Sequence, residues 1–163
     1  MPITATQLCR QILELERWSG FRGWGPLPGI REARFERRTD DAIGSRIRVI
    51  NTDGSTHVEE IVEWDPERRL VLRMSEFSPP LSALASHFEE RWEFEPSSDR
   101  RPELRVVRSF RLHPRSRLAR PVLRLIAAML RRAVARHLTE ITAEIAADPQ
   151  PDHKASGPDR REP

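Results

Sequence analysis

The stretch GSRIRVINTDGSTHVEEIVEW, residues 44–64, decides the fold class. Apolar and polar residues alternate on both sides of Asp53-Gly54, a pattern typical of strands that bury one face. An Asp-Gly pair between two such runs favours a two-residue hairpin turn. The stretch therefore predicts two antiparallel strands, near 44–51 and 56–64, joined by a tight turn.

The alternation continues on both sides of this hairpin. It predicts four more strands, near 31–38, 69–77, 87–95 and 103–112. The turn Asp65-Pro66-Glu67-Arg68 joins two of the six, since Pro sets the backbone angle that a turn needs at its second position. Consecutive strands joined by short connections form an antiparallel meander.

Apolar residues at helical spacing predict a helix at each end of the meander. The first helix covers residues 6–18, and the second, long and amphipathic, covers residues 119–147. The Gly- and Pro-rich loop 19–30 carries aromatic and aliphatic residues, so we expect it to pack over something apolar. The composition of residues 148–163 is typical of a disordered tail. One ordered domain, residues 1–147, is therefore expected.

Composition narrows the class of protein. A chain of 163 residues with 37% hydrophobic residues suits one domain with one core. The single cysteine, Cys9, excludes an internal disulfide framework and a multi-cysteine metal site. The start has no signal-peptide pattern, and no apolar run approaches the roughly 20 residues that cross a bilayer. We therefore expect a cytoplasmic protein.

The order helix, loop, meander, long helix resembles the START-like superfamily, also called the SRPBCC or polyketide cyclase/dehydrase-like group. The resemblance covers residues 3–146 and is carried by ERWSGF at 16–21, GPLPGI at 25–30, EEIVEWDP at 59–66 and HFEERWEF at 87–94. It implies an α+β helix-grip fold, in which a curved antiparallel sheet of about six strands grips the C-terminal helix around a ligand cavity.

The chain departs from that superfamily at its start. Members usually begin with a strand before the first helix, whereas only residues 1–4 precede the helix here. We therefore expect that strand to be short, missing or encoded upstream. A sheet edge left exposed in this way would allow association, such as a dimer.

Three strands each place one ionisable side chain on their apolar face, because side chains alternate across a strand. These residues are Glu60, Glu90 and Arg108. The turn positions predict Glu60 opposite Ile47 and Glu90 opposite Arg108. If the apolar faces line a cavity, all three side chains point into it. Glu90 and Arg108 are then either a buried ion pair that fixes register or an anchor for a ligand carboxylate, carbonyl or phenol.

Large apolar residues on the same faces, on the long helix and in the Gly-Pro loop are the candidate ligand contacts. On the strands and the long helix, these candidates are Arg108, Trp64, Phe88, Trp92, Phe94, Phe110, Met129 and Ala133. At the cavity mouth, Trp24 and Leu27 are candidates, and Trp18 and Phe21 lie beside them. A few polar groups in an apolar pocket are typical of small-molecule sites. The sequence therefore favours binding of a lipid-like or aromatic ligand.

His137 lies on the apolar face of the long helix and faces the same space. It is either a core histidine or a general acid/base acting with Glu60 or Glu90. The second interpretation gives the alternative function, a cyclase- or dehydratase-type enzyme without a metal. His57 and His87 have the opposite parity and are expected to face solvent, and His113 is expected in a loop.

Residues 100–136 carry 12 Arg against one acidic residue, Glu103. The arginines at the junction of last strand and helix are either a solvated or internally paired surface or a peripheral membrane contact. They are Arg111, Arg115, Arg117, Arg120 and Arg124. Nucleic acid is not expected, because stacking platforms and basic recognition motifs are absent. No metal-ligand, P-loop or dinucleotide motif occurs, so neither metal nor cofactor is predicted.

Overall fold

The computed structural model describes residues 5–96 and 104–147. Its elements are, in chain order, helix α1 Ala5–Leu13, a 3₁₀ helix Leu15–Gly20, strands β1 Ile30–Arg37, β2 Arg46–Asn51, β3 Thr56–Asp65 and β4 Arg69–Ser75, helix α2 Leu81–Leu84, strands β5 Ala85–Pro96 and β6 Leu104–Pro114, a 3₁₀ helix Arg117–Ala119, and helix α3 Arg120–Ala147. The proposed tail, residues 148–163, lies outside the described residues, as do residues 1–4.

The six strands form one antiparallel sheet in the order β1-β2-β3-β4-β5-β6, which confirms the predicted meander and the α+β class. The turn at Asp65 also forms as expected, with the Arg68 amide donating to the Asp65 carbonyl at 3.1 Å. In the described part of the chain β1 and β6 are the two edge strands. Association through an edge stays a prediction.

The β2–β3 hairpin differs from the prediction by one residue. The Asn51 amide donates to the Ser55 carbonyl at 2.8 Å, so the loop holds three residues and ends in Gly54 at a φ of +85°. This geometry places Ile47 opposite Glu59, where a two-residue turn would place it opposite Glu60. A shift of one residue moves every side chain of the strand to the other face. The predicted face of the first half of β3 was therefore wrong.

A β-bulge later in β3 reverses this shift. Ile61 pairs with Leu72 and Glu63 pairs with Val71, so Val62 has no partner residue in β4. The extra residue changes the parity of the strand again. Trp64, beyond the bulge, therefore faces the same side as Ile61, and that is the side on which the sequence placed it.

The β5–β6 register is shifted by two residues from the predicted one. Glu90 lies opposite Phe110, and Trp92 lies opposite Arg108. A shift of two preserves the face, so Glu90 and Arg108 still point the same way and meet diagonally. Strand β6 also runs on to Pro114, which places His113 within the strand. The expectation of a loop at His113 was wrong.

The concave face of the sheet is covered at both ends. Side chains of α1, Leu8 and Ile12 among them, pack on the sheet in one cluster with Trp92 and Phe94. Leu123 and Leu130 of α3 pack on it in a second cluster. No helix within residues 5–96 and 104–147 is long and apolar enough to cross a membrane. The two clusters leave an uncovered stretch of concave face between them.

Candidate functional site

A cavity of about 530 Å³ lies between the concave face and α3. Strands β3 to β6, helix α3, and the segments around residues 17–30 and 77–84 contribute its walls. The predicted residues that line it are Leu27, Phe88, Glu90, Trp92, Arg108, Phe110, Met129 and His137, together with Trp18 and Phe21. These residues are distant in sequence, and the fold brings them together around one space.

Four predicted ligand contacts do not line this cavity. Trp64 and Phe94 face the concave side, but α1 covers that end of the sheet and they pack into its cluster. Ala133 is 2% exposed and is buried without lining the cavity. Trp24 lies outside the lining, with the Arg132 guanidinium 5.1 Å from its ring centre. Alternation identified the right face of the sheet, but it could not show which part the first helix covers.

Glu60 is also outside the cavity. One of its carboxylate oxygens is 3.9 Å from Arg46 Nη1, on the convex face of the sheet. Arg46 in the same place pairs with Glu76 and Glu36. Glu60 therefore belongs to a network of surface ion pairs, and its predicted role as a partner of His137 was wrong, because the β2–β3 turn has three residues.

Glu90 and Arg108 form a buried ion pair in the cavity wall. Arg108 donates from Nε to Glu90 Oε1 at 2.7 Å, and its Nη2 donates to the same oxygen. The Arg108 guanidinium lies 3.7 Å from the ring centre of Trp92. Burial raises the pKa of Glu90, the neighbouring Glu59 adds to this, and the charge of Arg108 opposes it. Arg108 is thus held on two sides before any ligand enters.

A second polar pair, which the sequence did not predict, faces the same cavity. His57 Nε2 lies 3.2 Å from Glu59 Oε1, and both residues line the cavity wall. Glu59 is only 5% exposed, and its charge also acts on Glu90 and Arg108 in the same wall. Parity placed His57 on the solvent side, and that was wrong. Glycine at the last loop position suits both a two- and a three-residue hairpin, so the turn motif alone could not decide.

The family model described as polyketide cyclase/dehydrase and lipid transport matches residues 2–146. The chain belongs to this family. Among solved structures, the chain is similar to the crystal structure of Ara h 8.0201, with a TM-score of 0.52 and 10% identity over 85% of this chain and 92% of that one. That likeness shows the helix-grip fold alone. The comparison with curated proteins found no match.

Membership of the polyketide cyclase/dehydrase and lipid transport family confirms the resemblance read from the sequence. The family and the fold are consistent with binding of a hydrophobic ligand.

His137 lines the cavity of this family member, as its position on α3 predicted. Its ring meets Phe21 edge-on, with 5.5 Å between ring centres, and its Nδ1 lies 3.9 Å from a Glu140 carboxylate oxygen. Phe21 belongs to the Gly-Pro loop, so His137 connects α3 to the segment that closes this part of the cavity.

A third polar cluster lies on the convex face, away from the cavity. The rings of His87 and His113 stack with 4.0 Å between their centres. One ring nitrogen of each histidine lies within 4.8 Å of a Glu89 carboxylate oxygen. Arg73 is 3.5 Å from Glu89, and burial together with His113 and Arg73 lowers the pKa of His87. His87 is half-buried in this cluster. Sequence motifs could not identify it, because its members come from two strands.

Proposed function

We propose that this protein binds a small amphipathic molecule with an apolar body and an uncharged, hydrogen-bonding head. The observation that carries the proposal is the cavity of about 530 Å³, with two buried polar pairs in a largely apolar wall. Pockets of roughly 300–1,000 Å³ with few polar groups are typical of small-molecule sites. A largely apolar cavity also suits the family to which the chain belongs, whose description includes lipid transport.

The apolar part of the wall suits the body of such a ligand. Phe88 and Phe110 offer aromatic surface from the sheet, and Ile126 and Met129 offer aliphatic surface from α3. Methionine adapts to ligands of different shape, because its side chain is unbranched and flexible. Removing apolar ligand surface from water here supplies the driving force, at about 25 cal/mol per Å².

The charge of the polar pairs favours an uncharged head. Arg108 is already bonded to Glu90, so a ligand carboxylate would have to compete with a buried carboxylate for the same cation. The same ligand would also face Glu59. A buried charge without its own counter-charge is costly. A hydroxyl, phenol or carbonyl avoids that cost and can bond to any of these groups.

A titration with two probes of equal chain length tests the proposal. We expect 1-decanol to bind at least about tenfold more tightly than decanoate at neutral pH, a difference of about 1.4 kcal/mol. Trp18 and Trp92 line the cavity, so their fluorescence reports occupancy. Met129→Trp should narrow the cavity and weaken binding, whereas the matched variant Ala135→Trp, on the exposed side of α3, should not. Equal affinity for decanoate, or binding unaffected by Met129→Trp, would refute the proposal.

One observation favours a second candidate function, acid/base catalysis on a polyketide-like substrate. Glu59 can orient the His57 ring at 3.2 Å, which is the arrangement that a general base needs. The pair that the sequence placed at His137 and Glu60 would then be His57 and Glu59. The test is incubation with an aromatic poly-β-ketone, with mass spectrometry to detect loss of water. Catalysis predicts loss of product in His57→Gln with binding retained; no product from the wild type would exclude this function.

A further inference from the structure

The start of α3 and the 3₁₀ helix before it carry an exposed apolar stripe. Leu118 is 90% exposed, Leu125 is 62% exposed and Val122 is 45% exposed. Their spacing of four and three residues places them on one side of a helix. Exposed arginines flank the stripe, namely Arg117, Arg120 and Arg124. We call these six residues the α3 docking surface.

The position of these arginines is unfavourable for the fold itself. The N-terminus of a helix carries a partial positive charge, so cations there are destabilising. The first turn of α3 has no acidic residue to offset them. Among residues 5–96 and 104–147, no ion pair involves Arg117, Arg120 or Arg124. Ion pairing within the described residues therefore does not explain them, and their charges are available to an external anionic partner.

We propose that the α3 docking surface binds the surface of an anionic phospholipid bilayer. Arginines would contact the phosphate and carboxylate groups of the lipids, while Leu118 and Leu125 enter the layer beneath. Nucleic acid would also attract the arginines, but its phosphate backbone offers no burial for an apolar stripe. Leu118 and Leu125, exposed at 90% and 62%, are the observation that favours lipid.

The docking surface is continuous with the cavity. Val122 belongs to the stripe and also lines the cavity, and Ile126 and Met129 follow it along the cavity wall. A protein docked through the stripe therefore brings this side of the cavity to the bilayer. An apolar ligand could then pass between the bilayer and the cavity without crossing water. This transfer rests on the proposed function, whereas docking itself does not.

Co-sedimentation with vesicles tests the docking. The probes are phosphatidylcholine vesicles with and without phosphatidylserine. We expect the wild type to bind only the anionic vesicles. Each arginine near an anionic surface contributes about fivefold, so replacing Arg117, Arg120 and Arg124 by Gln should weaken binding about 100-fold. The matched control replaces Arg10, Arg31 and Arg34 by Gln; these arginines are also exposed, and their loss lowers the net charge by the same amount. It should bind almost as the wild type does.

A second pair of variants tests the apolar part. Leu118→Gln should weaken vesicle binding by about tenfold, and Ile43→Gln, at another exposed aliphatic residue, should not. Docking is refuted if the wild type ignores anionic vesicles, if the two arginine triples behave alike, or if Leu118→Gln has no effect. Binding of duplex DNA in place of vesicles would assign the surface to nucleic acid.

The two proposals fail separately. Titration with 1-decanol in the absence of vesicles reports on the cavity alone, and the arginine triple should leave it unchanged. Vesicle binding without decanol binding would overturn the proposed function and keep the docking surface. Decanol binding without vesicle binding would do the reverse.

Discussion

Replacing Arg108 by Met should destabilise the protein strongly at neutral pH. The side chains of Arg108 and Glu90 are only 11% and 4% exposed, so the variant leaves a carboxylate in the cavity wall without its cation. Two charges about 4 Å apart at an effective dielectric constant of 20 interact by about 4 kcal/mol. Breaking a buried pair from one side costs roughly 3–5 kcal/mol in other proteins. Met keeps part of the contact with the Trp92 ring.

The loss should depend on pH in a definite direction. Burial already raises the pKa of Glu90, and removing Arg108 takes away the group that opposes this rise. A carboxyl whose pKa is higher in the folded state than in the unfolded state lowers stability as the pH rises through the interval between the two values. The deficit of Arg108→Met should therefore be full at neutral pH and shrink as the pH falls towards the ordinary value of 4.5.

Urea unfolding followed by tryptophan fluorescence measures this loss. We expect about 4 kcal/mol at neutral pH, or roughly 10 °C in Tm for a chain of this size. The double variant Glu90→Leu/Arg108→Met removes both charges and should recover most of the stability. A loss below about 1 kcal/mol, or a double variant as unstable as the single one, would refute the reasoning. Unchanged 1-decanol affinity in the double variant would show that the pair is structural and not an anchor.

Three further predictions concern other parts of the molecule. Burial raises the pKa of Cys9 from 9.0 to about 11, so the folded protein should resist a thiol reagent at pH 8. The free energy of unfolding in urea should also fall as the pH rises from 9 towards 11, because the unfolded chain loses the thiol proton first. Rapid labelling at pH 8 would contradict this. Glu59→Gln should change the affinity for 1-decanol in the same titration, and Glu60→Gln should leave it unchanged, because only Glu59 faces the cavity. The opposite result would show that the β2–β3 register described here is wrong. Arg120→Gln should raise the free energy of unfolding by about 0.3–1 kcal/mol, since it removes a cation from a helix N-terminus; destabilisation would indicate that the arginine has a partner within the fold.

The sequence predicted the order and type of the elements because each follows from local patterns. Alternation of apolar and polar residues predicted the six strands, and apolar residues at helical spacing predicted both terminal helices. Asp65-Pro66 predicted one of the turns. Helix α2 was missed, since four residues are too few to show a helical period. The first helix ends at Leu13 and continues as a 3₁₀ helix, a difference that apolar spacing does not reveal.

The candidate site was predicted in part for the same reason. Glu90 and Arg108 were placed on the correct face, because the long β5–β6 hairpin shifted by an even number of residues. Glu59 and His57 were missed, because the β2–β3 loop differed by one. Whether α1 covers Trp64 and Phe94 depends on packing between distant parts of the chain, and no local pattern contains that information.

The bulge at Val62 has a consequence for how such a site can evolve. Loss of this one codon would place Glu63 directly after Ile61 in a regular ladder, so Trp64 would stay in the α1 cluster and both halves of β3 would keep their present faces. Loss of one residue from the loop 52–54 would likewise leave Val49 opposite His57 and Ile47 opposite Glu59, with both polar residues facing the cavity. An extra residue that the ladder of β3 takes up without a bulge would instead exchange His57 and Glu59 for their neighbours, so related chains that differ in this way can present different polar groups to the ligand. An alignment without gaps would hide this change.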